Sequence, residues 1–200
     1  MKMIDTHSHL YTEEFDDDRD EAVARAREAG VSRLIFPAID SESHDRLFAA
    51  ARRYAGYCAV MMGLHPTSVN DNPRWREELE IVERTLTQAP PEGIDRFVAV
   101  GEIGLDYHYE NYGEIPMDKE KQMLFFRTQM EMAQLIELPV IIHDREAHGD
   151  CFETVLKYPG VRGVFHSYSG SPEMARELVR RGWYISFSGT LTFKNANRVR

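Results

Sequence analysis

Two histidines, His7 and His9, flank Ser8 near the start of the chain. In an extended segment alternate residues face the same side, so both imidazoles point one way. Such a pair at a strand end suits a metal ion. Alone it is a weak signal, but the arrangement recurs. Short apolar runs lead into Gly63-Leu64-His65-Pro66, into Gly101-Glu102-Ile103-Gly104-Leu105-Asp106-Tyr107, into His143-Asp144-Arg145, and into His166-Ser167-Tyr168-Ser169-Gly170. Each places a His or a Glu where a strand stops. The expectation is a metal site assembled from successive strand ends.

Glu102 is pivotal in this reading. It follows Phe97-Val98-Ala99-Val100-Gly101, at the end of a run that reads as buried. A buried carboxylate needs a partner, because an unpaired charge there is costly. Its two oxygens can bridge two cations, and cations about 3.5–4 Å apart clamp a hydroxide and the phosphoryl oxygens of a substrate. The plainer alternative pairs Glu102 with an arginine from a neighbouring element.

The elements that must position these residues can be read from periodicity. Seven runs read as strands buried on both faces: Met3-Ile4-Asp5, Arg33 to Phe36, Cys58 to Met61, Phe97 to Val100, Val140 to Ile142, Gly163 to Phe165, and Tyr184 to Phe187. Helices alternate with them. Asp20 to Ala29 carries Val23, Ala26 and Ala29 on one face and stops at Gly30. Ser41 reads as the cap of a helix reaching about Tyr54. Pro73 opens a helix with Trp75, Leu79, Val82 and Leu86 inward. The longest covers Lys119 to Glu137, and another runs from about Gly149 to Leu156. Ser171 caps the sixth, with Met174, Leu178 and Val179 facing the core, and the chain reaches Arg200 inside what reads as a seventh.

Strand alternating with helix implies parallel pairing through right-handed crossovers. An open doubly wound sheet usually carries a glycine-rich phosphate loop after its first strand. Here the first strand ends in histidines, and polar strand ends are how a barrel builds its site. The expectation is an α/β fold, a (β/α)8 TIM-type barrel, as one domain over residues 1–200. Seven of the eight strands are found, so the domain reads as incomplete at its C-terminal side.

Composition narrows the class. The 200 residues are 42% apolar and 28% charged, ordinary for a globular domain. Two cysteines are too few for a disulfide framework and fit a reducing, cytoplasmic setting. No secretory leader and no membrane span are read in the chain. A net charge of −9 excludes binding nucleic acid by a broad basic face. It does not exclude meeting phosphate through bound metal, which supplies the positive charge locally.

In order and spacing, the stretches Ile4-Asp5-Thr6-His7-Ser8-His9-Leu10, Gly63 to Pro66, Gly101 to Tyr107, His143 to Arg145, Phe165 to Gly170, and Phe187 to Lys194 resemble the TatD family of metal-dependent hydrolases. The resemblance implies two divalent metal ions, of which zinc, manganese or magnesium are candidates. His7 and His9 would bind one ion, His143 and His166 the other, and Glu102 would bridge them. It implies hydrolysis of DNA phosphodiesters, as a deoxyribonuclease and 3′-to-5′ exonuclease. Arg145 would contact phosphate with its planar fork, and His65 would lie at the rim as a phosphate donor. Asp106 would orient a ligand imidazole. The family carries one more ligand, an aspartate in a Glu-Thr-Asp motif on strand eight, and this sequence stops before such a motif. Two alternatives stay open: a barrel hydrolase of an amide or lactone, and a non-catalytic fragment. The former often bridges its metals with a carbamylated lysine on strand four, and no lysine lies between Arg96 and Asp118.

Overall fold

Runs rich in β-branched and aromatic residues form seven strands in a computed structural model, which describes residues 3–70, 72–108, 113 and 115–194. They are β1 (Met3–Asp5), β2 (Val31–Phe36), β3 (Cys58–Met62), β4 (Phe97–Asp106), β5 (Val140–Arg145), β6 (Gly163–Phe165) and β7 (Tyr184–Ile185). The crossovers carry α1 (Arg19–Glu28), α2 (His44–Arg53), α3 (Trp75–Thr87), α4 (Lys119–Leu135), α5 (His148–Leu156) and α6 (Pro172–Arg180).

Every neighbouring pair of strands is parallel, and the order in the sheet is the order in the chain. Each right-handed crossover therefore steps one strand in the same direction. All helices then fall on one face, and the sheet curls away from them, as in a TIM-type barrel. A doubly wound sheet would need the order to reverse.

The alternation of β2 shows the two faces. Leu34 and Phe36 point outward into the layer beneath the helices, with Leu47, Val60, Val82 and Phe97. Ile35 points inward, against a small inner core of Met61, Ala99 and Ile141 that also receives Val98 and Val164. A second outer cluster joins Val100, Ile103, Phe126, Val140, Ile142, Phe165, Leu178 and Trp183.

Glycines bring β3 and β4 close just before their functional ends. A Cβ on Gly63 would stand 2.8 Å from the Gly101 carbonyl carbon. Gly104 has φ +142°, and a Cβ there would fall onto the His143 carbonyl oxygen. Any side chain at these positions would push apart the strands that carry His65, Glu102 and His143.

Several local expectations are corrected. Asp40, not Ser41, is the cap: its Oδ1 accepts the Ser43 amide at 3.2 Å, and Ser43 Oγ accepts the Asp40 amide at 3.3 Å. A 3-10 turn over Ser41–Ser43 follows, and α2 starts at His44. Two edges are as a sheet of seven strands, one short of a closed barrel, implies: β1 and β7 each pair on one side only among the described residues, and Ile4 is 57% exposed and Phe187, two residues past β7, 50%. Val179 was expected inward and is 54% exposed. It lines a groove with Ile185, on a flank of α6 that no described neighbour covers. The expected seventh helix falls largely on residues 195–200, outside the described residues, after a 3-10 turn over Gly189–Thr192. No helix among the described residues is long and apolar enough to cross a membrane.

Candidate metal centre

Glu102 lies in the final half of β4 and is 2% exposed. Four imidazoles surround its carboxylate. His143 Nδ1 donates to Oε1 at 2.8 Å. The Nε2 atoms of His7, His65 and His9 stand 3.2, 3.5 and 3.6 Å from Oε2. His166 completes the cluster, its ring stacked on that of His7 at 3.5 Å.

Backbone pairing beyond the strand ends places these residues. The His65 amide donates to the Ile39 carbonyl at 2.9 Å, and the His166 amide donates to the Ile142 carbonyl at 3.0 Å. His166 thus sits one residue past β6 and His65 three residues past β3, both still tied to the neighbouring segment. His7, at the end of β1, is tied back by its amide to Asp5 Oδ1 at 3.0 Å.

The donor atoms fall into two groups that share Glu102. One contains His7 and His166, and the other His65 and His143. This differs from the sequence expectation, which joined His143 with His166 and set His65 apart at the rim. The reason is topological. β3 and β5 flank β4, so His65 and His143 meet on either side of Glu102. β6 and β1 approach each other through the curl, so His166 meets His7. His9 joins the first group, its Nε2 2.9 Å from that of His7.

Burial dominates the electrostatics of three rings. It pushes His7 down to about 3 and His65 and His166 down to about 4, although Glu102 pulls each the other way. These imidazoles are neutral near pH 7 and keep a lone pair. His143 is also penalised by burial. Its hydrogen bonds to Asp106 and Glu102 prevail, however, and raise it to about 9. Burial opposes the charge on Glu102 too, yet the surrounding imidazoles hold it well below the usual carboxylate range.

The donor set fits a divalent cation. Ligand atoms about 2.0–2.2 Å from a tetrahedral metal stand roughly 3.3–3.6 Å apart. The triangle of His7 Nε2, His9 Nε2 and Glu102 Oε2 has sides of 2.9, 3.2 and 3.6 Å. His7 Nδ1 is buried with no hydrogen-bond partner among the described residues, so the ring is not fully satisfied by protein alone. His65 differs. Its Nδ1 accepts the Thr67 amide at 3.2 Å. A backbone amide can only donate, so the neutral ring carries its proton on Nε2 and points a donor at the centre.

Asp106 ends β4 and is buried, with Oδ2 accepting from His143 Nε2 at 2.9 Å. Arg145 ends β5 in register with Asp106, at the exposed rim. Two positioning residues escaped the sequence reading. Gln122 accepts the Asp106 amide at 2.9 Å and donates to its carbonyl at 2.9 Å. Gln129 accepts the Leu64 amide at 2.7 Å and donates to its carbonyl at 3.1 Å. Both are buried on α4 beside Phe125, Phe126 and Met130. The available signal was two amides, seven residues apart, inside an otherwise apolar stripe.

The profile of the family described as TatD related DNase matches residues 4–200. The chain is 34% identical over 203 residues to the "uncharacterized metal-dependent hydrolase YabD" of Bacillus subtilis, covering 98% of this chain and 72% of that protein. It is 37% identical over 192 residues to the "3′-5′ ssDNA/RNA exonuclease TatD" of Cronobacter turicensis, covering 94% and 66%. The crystal structure of YjjV, a TatD homologue from Escherichia coli, superposes with a TM-score of 0.80 at 32% identity, covering 96% of this chain and 70% of that one. The chain thus spans about two thirds to three quarters of the length of these relatives. A profile match over nearly every residue, on a curled parallel sheet whose strand ends gather histidines around one glutamate, settles the family: the chain belongs to the TatD-related metal-dependent hydrolases.

Proposed function

We propose that this hydrolase cleaves phosphodiester bonds of DNA, removing nucleotides from the 3′ end, with two divalent ions that would both be held in part by Glu102. The observation that carries this reading is the placement of one buried carboxylate between imidazoles: His143 on Oε1, His7 and His9 on Oε2. His7, His9, Glu102, His143 and His166 would hold the ions, which when bound would polarise a phosphoryl oxygen and lower the pKa of water. Relatives named as 3′-5′ ssDNA/RNA exonucleases, at 31–37% identity, support a nucleic-acid substrate.

The chain's own side chains then have separate tasks. Glu102 fixes the spacing of the two groups of imidazoles. Asp106 holds the His143 ring in one orientation. His65, with its proton on Nε2, donates a hydrogen bond to a phosphoryl oxygen. Arg145, at the rim, binds phosphate through its fork of N–H donors. With a net charge of −9, the protein meets the substrate through these few groups rather than through a basic surface.

The test uses single-stranded DNA labelled at either end, with protein stripped by chelator and then given Mn2+, Mg2+ or Zn2+. Shortening from the 3′ end only when metal is restored, and lost in Glu102→Ala, is the expected result. Cleavage indifferent to chelator, or unchanged in Glu102→Ala, would overturn the reading.

A further inference from the structure

Tyr11 is 1% exposed, two residues past His9. Its hydroxyl lies 2.7 Å from the Pro37 carbonyl oxygen and 3.0 Å from His9 Nδ1. The direction of this chain of hydrogen bonds is forced. A carbonyl oxygen can only accept, so the phenolic hydrogen goes to Pro37. The phenolic oxygen is then left as an acceptor, and His9 Nδ1 must carry a hydrogen to meet it. In a neutral ring, Nε2 is therefore bare. Nε2 is the atom that stands 2.9 Å from His7 Nε2 and 3.6 Å from Glu102 Oε2.

We propose that Tyr11 is a positioning residue that locks His9 in the Nδ1–H form, so that Nε2 offers its lone pair to a divalent ion beside His7 and Glu102. The inference rests on the metal reading above and extends it to a residue outside the ligand set. His65 provides the internal contrast. There a backbone amide occupies Nδ1 and the proton is displaced to Nε2, turning the ring into a donor. Two imidazoles facing the same carboxylate are thus set to opposite tasks by what touches their far nitrogens.

The loop that carries Tyr11 is built to keep this geometry. Thr12 Oγ1 donates to the His9 carbonyl at 2.9 Å. Arg19 spans the turn, its Nε donating to the Leu10 carbonyl at 2.5 Å and its terminal nitrogen to the Thr12 carbonyl at 2.9 Å. Phe36 packs on the far side of the Tyr11 ring, 5.9 Å between centroids. A side-chain contact with Ser43 also holds the hydroxyl in place.

Two measurements test the proposal. The first needs no variant: 15N-resolved NMR of the histidine rings in metal-free wild-type protein. His9 is expected as the Nδ1–H tautomer and His65 as the Nε2–H tautomer. Finding His9 with its proton on Nε2 would overturn the inference. The second is Co2+ uptake by wild type and Tyr11→Phe, read by chelator competition and by the visible ligand-field spectrum. The variant keeps the ring and loses only the hydroxyl. Uptake is expected to weaken by about 10–100-fold with an altered spectrum and an unchanged far-UV circular dichroism. Equal uptake and an equal spectrum would overturn the inference and leave the metal reading standing. A wild type that takes up no Co2+ would overturn both.

Discussion

The rings of His7 and His166 stack 3.5 Å apart, although their strands are five steps apart in the sheet. At about 4.8 Å per step, a flat sheet would separate them by roughly 24 Å. The curl produced by one-way crossovers therefore makes the centre possible, and His7 reports on it. Replacing His166 with Ala should leave the sheet intact but remove the ring that covers His7. The expected outcome is loss of tight metal uptake with unchanged secondary structure, measured by metal analysis after dialysis beside circular dichroism.

The buried imidazoles set a pH dependence for the metal-free protein. In the unfolded chain they titrate near 6.5, whereas folded His7 lies at about 3 and His65 and His166 at about 4. Between pH 4 and 6.5 the unfolded chain binds more protons, so stability rises with pH across this window. His143 acts in the opposite direction. Raised to about 9, it contributes stability that is complete below about 6.5 and lost as pH rises through 9. Urea midpoints measured in chelator from pH 4 to 9.5 should peak near pH 6.5. A midpoint that climbs steadily to pH 9 would contradict the assignment.

Asp106 supports the centre through His143, by the 2.9 Å contact to Nε2. Asp106→Asn keeps the size and removes the charge. Metal affinity or activity should fall about 10–100-fold, the usual cost of losing a carboxylate behind a ligating imidazole. The pKa of His143 in the metal-free protein should also fall, which NMR titration would follow.

Arg145→Lys keeps a charge at the rim and loses the planar fork. Loss of one charge-assisted hydrogen bond, about 1.5–3 kcal/mol, corresponds to roughly 10–100-fold weaker DNA binding. The expected change is in KM for a short single strand, with metal content unaltered. A variant with normal KM would remove Arg145 from the substrate site.

Gln129→Leu should destabilise the fold from a position that touches no ligand. It strands the buried N–H and C=O of Leu64, at about 1–3 kcal/mol for each group left unmade. Denaturation by urea measures the cost. Since His65 follows Leu64 directly, the His65 side chain should also lose its single orientation, visible as broadened ring resonances.

Much of this was legible because a strand end is a local event. The runs at Phe97, Val140 and Gly163 mark where a strand stops, and the next polar residue lies on the rim whatever the rest does. Glu102, His143 and His166 could be found that way. What the sequence could not convey was who meets whom. That His166 faces His7, and that His65 stands against Glu102 and not at the edge, follows from the curl, a property of the whole sheet. Tyr11 was hidden because its ring reads as core. Gln122 and Gln129 were hidden because a long amide in a helix reads as surface. The exposure of Val179 was missed because an apolar residue in a run gives no sign of whether a neighbour covers it, whereas that of Ile4 and Phe187 follows from the want of an eighth strand beside them.

The glutamines of α4 have one further consequence. They lie seven residues apart, about 10.5 Å along the axis, and each grips the backbone at the functional end of a different strand, Gln122 at the end of β4 and Gln129 just past β3. The helix is therefore a ruler between those strand ends. Residues 123–128 can change identity on the outer face without disturbing the centre, but they cannot change in number. Inserting or deleting one residue would turn one glutamine by about 100° relative to the other, and one strand end would lose its grip. In a library of length variants, this segment should reject insertions and deletions as strictly as the strand ends reject substitutions, although none of its residues is a candidate ligand.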